Sequence, residues 1–191
     1  MSEAIRTVKG TAIPAVGAQD AVRGPAGSTA GAVAIPGDVA TTDGRLLLTA
    51  FMAGGLLMAL DSRHVEEIIR TPSITSVHRG PGHVRGVINL RGRIVVVISL
   101  SGRLGLRDQA NLDDGDQRIL GDQRILVLSH AGESVGLLVD AIADVIEVTN
   151  TELREAPTNV QGSDRIWFLA AVDTPLGLAA IIDPEAVLTS D

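Results

Sequence analysis

The chain has 191 residues, 16 Lys+Arg against 23 Asp+Glu, and a formal net charge of −7. Hydrophobic residues make up 45% and charged residues 20%, which is enough apolar side chain to fill a core and excludes a wholly disordered chain. Phe51, Trp167 and Phe168 are the only aromatics and there is no Cys. Base-stacking platforms, a basic phosphate-binding surplus, disulfides, thiolate metal sites and Cys nucleophiles are therefore all missing from the composition. No stretch of 18 apolar residues offers a spanning helix, and no basic-then-apolar leader opens the chain. A soluble cytoplasmic protein is expected, with no nucleic-acid partner and no direct membrane insertion.

Residues 1–43 are rich in Ala, Gly, Thr, Pro and Val without a sustained period of 2 or 3.6, and read as a flexible tail. A short docking strand around Ile35 is the alternative. From residue 45 the chain changes to short apolar runs separated by Gly and Asp. The runs 46–52, 56–60, 94–100, 125–128, 135–139, 166–172 and 178–182 each have the length and punctuation of a strand. Gly54-Gly55, Ala131-Gly132-Glu133 and Asp173-Thr174-Pro175 read as the turns joining pairs of them. Residues 63–69 and 141–146 place Val65, Ile68 and Ile69, and Ile142, Val145 and Ile146, at helical spacing, which predicts helices or helical turns. Many short strands with frequent turns predict an all-β barrel or sandwich.

Two repeats stand out. The hexapeptide GDQRIL occurs at 115–120 and again at 121–126, and only one copy is needed for a strand. A coarser repeat runs strand, Asp61, Val65-Glu66-Glu67-Ile68-Ile69 and then strand, Asp140, Ile142-Ala143-Asp144-Val145-Ile146. Two similar β modules are expected, 44–106 mainly forming the first and 124–191 mainly the second, with 107–123 as connection. Charge divides along the chain: 44–110 holds nine Arg and four acids, while 111–191 holds four Arg and fifteen acids. Head-to-tail contact between unlike halves of related molecules would suit that division, as would attraction within one molecule or chance.

Catalytic and metal signatures are scarce. The four His residues form no ligand motif, no Ser sits in a nucleophile elbow, and the one Lys, Lys9, lies in the tail. The Gly80-Pro81-Gly82 stretch lacks phosphate-loop spacing. No cofactor and no metal are expected. The strongest local feature is a hairpin, Gly86-Val87-Ile88-Asn89-Leu90-Arg91-Gly92, followed by an apolar strand. Asn89 and Gly92 supply turn geometry and Arg91 is presented at the tip.

These residues resemble the CheW family, coupling proteins of bacterial chemosensory arrays. Val65-Glu66-Glu67-Ile68 is similar to its V-x-E-I stretch, Pro81-Gly82-His83-Val84-Arg85-Gly86-Val87-Ile88-Asn89-Leu90-Arg91-Gly92 to its loop and hairpin, and the segment from Val135 to Ile146 to a third motif. The resemblance spans roughly residues 45–188. His83 stands where the family usually has Phe, and Met58 where it usually has an aromatic. The resemblance implies two packed five-stranded SH3-like barrels and a non-catalytic adaptor. It implies two partners, the cytoplasmic tip of a chemoreceptor and the regulatory domain of a CheA-type histidine kinase, within arrays at the membrane. Val65, Glu67, Gly86, Asn89 and Arg91 are the partner-binding candidates, and Glu67 and Arg91 match a family ion pair. For Gly86 a plain backbone requirement is the competing explanation. A small-molecule-binding or enzymatic double barrel is the alternative function, as is a divergent paralogue scaffolding a non-flagellar pathway.

Overall fold

A computed structural model describes residues 44–78, 80–106, 122–156 and 167–189. Eleven strands run in chain order: β1 (Arg45–Ala53), β2 (Leu56–Asp61), β3 (Val65–Arg70), β4 (Val84–Leu90), β5 (Arg93–Ser99), β6 (Arg124–His130), β7 (Glu133–Val139), β8 (Ala141–Thr149), β9 (Leu153–Arg154), β10 (Phe168–Thr174) and β11 (Gly177–Ile182). Two short helices, α1 (Leu100–Arg103) and α2 (Pro184–Thr189), follow β5 and β11. All seven expected apolar runs contribute strand residues, although Ile166 lies outside the described residues. The tail 1–43 and the first GDQRIL copy also lie outside them.

The two expected helices are strands. Helical turns are confined to the flanks, Ser62–His64 before β3 and Asn150–Glu152 after β8, and 65–70 and 141–149 are β3 and β8. Bulges explain the misleading spacing. The ladder of β3 with β6 shifts between Val65 and Glu67, and that of β8 with β1 shifts so that Phe51 faces Ile142 while Ala50 faces Asp144. One extra residue in a strand resets its alternation, and the apolar positions then imitate a helical period.

The strands form a six-stranded sheet, β8-β1-β2-β11-β10-β9, and a five-stranded sheet, β3-β6-β7-β5-β4. Each draws on both halves of the chain. Hairpin β1–β2 sits between β8 and hairpin β10–β11, and hairpin β6–β7 sits between β3 and hairpin β4–β5. The expected division into 44–106 and 124–191 therefore does not separate the sheets. The chain crosses between sheets after β2 and again after β7, so the first half gives β1 and β2 to the six-stranded sheet and the second half gives β6 and β7 to the five-stranded one. Charge follows the interleaving. Strands of the five-stranded sheet carry four Arg and three Glu, and those of the six-stranded sheet two Arg and four acids, a much weaker contrast than the chain halves show.

The same device closes both sheets. The segment after β3 swings across and pairs Thr75 with Val87 on β4, while the segment after β8 pairs Leu153 and Arg154 with Val172 and Ala171 on β10. The two-residue β9 is thus the closing arm of a five-stranded unit rather than a sixth full strand. Bulges at Val84/Gly86 in β4 and Phe168/Ala170 in β10 recur at matching places. The molecule is mainly β, with two small closed sheets built on the same strand plan.

Three apolar clusters fill it. One lies within the six-stranded unit around Leu46, Leu48, Ala50, Val172 and Ile181, and one within the five-stranded unit around Ile88, Val95, Val97, Ile125 and Val127. The largest lies between the units and takes Phe51, Met58 and Leu60 from one side, Leu126, Leu128 and Leu137 from the other, with Trp167, Leu104 and Val187. Strands β1, β2, β6 and β7 are thereby covered on both faces, which is why their sequences run apolar without alternation.

A charged hairpin tip as candidate interaction site

Three hairpins turn through two residues that both have positive φ: Gly54-Gly55, Arg91-Gly92 and Ala131-Gly132. That backbone twist matches the twist of the strands it joins, and it normally selects Gly or Asn. Arg91 adopts φ 53, a left-handed conformation in which non-glycine residues are uncommon. The Asn89 side-chain carbonyl Oδ1 accepts the Gly92 backbone N–H at 2.8 Å and holds the turn.

Arg91 donates to Glu67 Oε2 at 2.9 Å. Glu67 lies on β3, one outer strand of the five-stranded sheet, and Arg91 in the turn that follows β4, the other outer strand, so the ion pair spans the line where that sheet closes. The Arg91 side chain is 75% exposed and that of Glu67 23%. At such exposure the pair contributes at most about 1 kcal/mol to folding. Its geometric effect is larger: it orients a guanidinium on a stiff turn, with most of its donors still facing solvent.

Val65, two positions before Glu67, is half-buried against the cluster between the units. Gly86 answers a backbone demand. At φ 143, a Cβ there would stand 2.1 Å from the Thr75 carbonyl oxygen and 2.8 Å from Ile74 Cγ2. Its lack of a side chain lets the closing arm reach Val87, with reciprocal N–H···O bonds of 2.9 and 2.8 Å. Of the five candidates, Glu67, Asn89 and Arg91 form one surface feature, Gly86 builds the closure beside it, and Val65 anchors the strand that carries Glu67.

Sequence reasoning missed two things here. Ile94, next to the tip on β5, is 77% exposed, the most exposed large apolar residue described. The run from Ile94 to Ile98 is entirely apolar, so alternation could not reveal which members face outward. The second is His83. Its Nε2 lies 3.2 Å from Arg103 Nη1, and Arg103 Nε donates to the Val187 carbonyl of α2 at 3.0 Å. Burial first, and then the Arg103 charge, lower the His83 pKa below its usual value. The polar ring in place of Phe thus joins α1 to β4's approach while staying neutral near pH 7.

Among the described residues no group of three or more His, Asp or Glu is placed to hold a metal ion, and no helix is long and apolar enough to cross a membrane. What the fold assembles is a double β unit with a braced, charged turn on its surface. The CheW-like domain family matches residues 47–191, and the chain belongs to that family, one of non-catalytic scaffolds. It is 30% identical over 152 residues to the chemotaxis protein CheW of Treponema pallidum, covering 80% of this chain and 87% of that one. It is 31% identical over 144 residues to CheW of Bacillus subtilis, covering 75% and 87%. The crystal structure of the scaffolding protein TtCheW from Thermoanaerobacter tengcongensis superimposes with a TM-score of 0.65 at 27% identity, covering 76% of this chain and 89% of that one.

Proposed function

We propose that this chain is a cytoplasmic adaptor of a bacterial chemosensory pathway. In this reading it couples the cytoplasmic tip of a chemoreceptor to the regulatory domain of a CheA-type histidine kinase by binding alone. Membership of the CheW-like family supports it, and the Glu67–Arg91 tip is the observation that carries it. An exposed ion pair of small worth to folding, set on a strained but braced turn, makes better sense as an orienting device for a partner than as a structural prop. Val65, Glu67, Gly86, Asn89 and Arg91 then form or support one partner surface.

The shared strand plan gives the chain a second hairpin in the matching place, between β10 and β11, and that tip has other chemistry. It presents Asp173, Leu176 and Leu178, the two Leu side chains being 60% and 51% exposed, where the first presents Asn89, Arg91 and Ile94. Unlike tips on like frames suit unlike partners, and they suit alternation of the adaptor with a related domain in a ring or array. Signal passage would be a shift among interface geometries. The reading is tested by sedimenting receptor-containing membranes with purified adaptor and kinase. Adaptor-dependent recruitment and activation of the kinase are expected; sedimentation of neither protein refutes the reading.

A further inference from the structure

The ladder begun by Thr75 and Val87 stops one step short of the hairpin tip. Continued, it would set Ser73 opposite Asn89. Pairing in β4–β5 follows from the two-residue turn: Leu90 and Arg93 exchange hydrogen bonds, so Val87 and Asn89 turn their N–H and C=O groups to the outer edge of β4. At Val87 those groups meet Thr75. At Asn89 they meet no backbone partner among the described residues, and in place of the missing rung there is an open groove of about 480 Å³. Pro72, Ser73, Thr75, Val87, Asn89 and Ile94 line it. Pro72, Val87 and Ile94 supply apolar surface to its lining. Arg93 and Arg91 flank its tip end, both exposed, and Arg93 has no ion-pair partner among the described residues.

We propose that this edge captures a short extended peptide segment of a partner protein by strand addition. One residue of the segment exchanges two backbone hydrogen bonds with Asn89. The apolar side chain of that residue lies on the outer face against Pro72, Val87 and Ile94, and the carboxylate of the next residue turns to the other face and meets Arg93. The occupant is acidic because Arg93, at the groove's tip end, has no carboxylate partner among the described residues. An unpaired sheet edge beside an apolar groove is the usual ground for strand addition, in which main-chain bonds bring affinity and alternate side chains select sequence. The proposal does not depend on the receptor or kinase reading, because it concerns a linear motif and is read without either protein.

The test titrates the ¹⁵N-labelled full chain with an eight-residue peptide of alternating Asp and Val, alongside an alternating Lys and Val peptide and the Asp–Val peptide N-methylated at each Val. The Asp–Val peptide is expected to shift the Asn89 and Ser73 amides and to slow Asn89 amide exchange at least tenfold. The Lys–Val and N-methylated peptides should bind at least fivefold more weakly. Ile94→Lys and Arg93→Glu, both at exposed positions, should each weaken the Asp–Val peptide severalfold with melting temperature unchanged. Equal binding of the N-methylated peptide, shifts confined to other strands, or no binding of the Asp–Val peptide would overturn the proposal.

Discussion

Arg91 and Gly86 sit five positions apart on one hairpin and answer to different demands. Gly86 is fixed by space. Any side chain there pushes on the Thr75 carbonyl, so Gly86→Ala must open the closing arm or bend β4, at a cost of about 2–4 kcal/mol. Chemical denaturation should show that loss, and a change below about 0.5 kcal/mol would return Gly86 to a purely partner-facing role. His83 makes a pH prediction. Its folded-state pKa is depressed, so the unfolded chain binds its proton more readily; the stability this contributes is present above the ordinary His pKa near 6.5 and is lost as pH falls through the lower folded value. His83→Phe removes that term. Its melting temperature should fall less than that of the parent chain between pH 7 and pH 5, and parallel profiles would contradict the assignment.

At the level of elements, the duplicated hexapeptide shows what decides strand register. The second copy supplies the opening of β6, where Ile125 and Leu126 are fully buried. A slip of six keeps every side chain on its face, so the repeat alone cannot choose. The residues after it do: the slipped chain would put Gly121 and Asp122 where Val127 and Leu128 lie fully buried. Burying that carboxylate and emptying the Val site costs several kcal/mol. Because the copies are identical, excising six residues restores the same β6 with a shorter approach. That variant should keep its melting temperature within about 2 °C, an expectation resting on how little a shortened loop changes closure entropy. A loss of more than 10 °C would mean that the first copy has a packing role. Strand positions were largely legible because Gly and Asp punctuate short apolar runs. The crossing strands β3 and β8 were not, since their bulges break the two-residue period on which strand reading relies. The tip was legible in part: the turn chemistry around Asn89 and Gly92 marked it, and the resemblance pointed to Glu67, whereas Thr75 owes its role to pairing with a separate strand and Ile94 is hidden in an unbroken apolar run.

Across the whole molecule, exchange of strands between the two units sets the cooperativity. A repeat in sequence suggested modules that could stand alone, but strand pairing between distant halves is not written in any local pattern. Phe51 from β1 and Leu126 from β6 share one core with Trp167, so neither half can bury its apolar face without the other. Unfolding by urea should be a single transition, coincident for Trp167 fluorescence and far-ultraviolet circular dichroism, and fragments 44–106 and 122–191 should each be unfolded alone. Two separated transitions would contradict interlocked units. A rigid body of this kind suits an adaptor, because contacts at one hairpin and at the other are then held in fixed relation. The measurement that bears most directly on the account is receptor-dependent kinase activity reconstituted with wild-type adaptor and with Arg91→Glu. The variant places two carboxylates together at an exposed turn, so it should melt within a few degrees of the parent yet lower kinase coupling at least tenfold. Full coupling by a folded Arg91→Glu adaptor would contradict the claim that this hairpin tip is where the protein works.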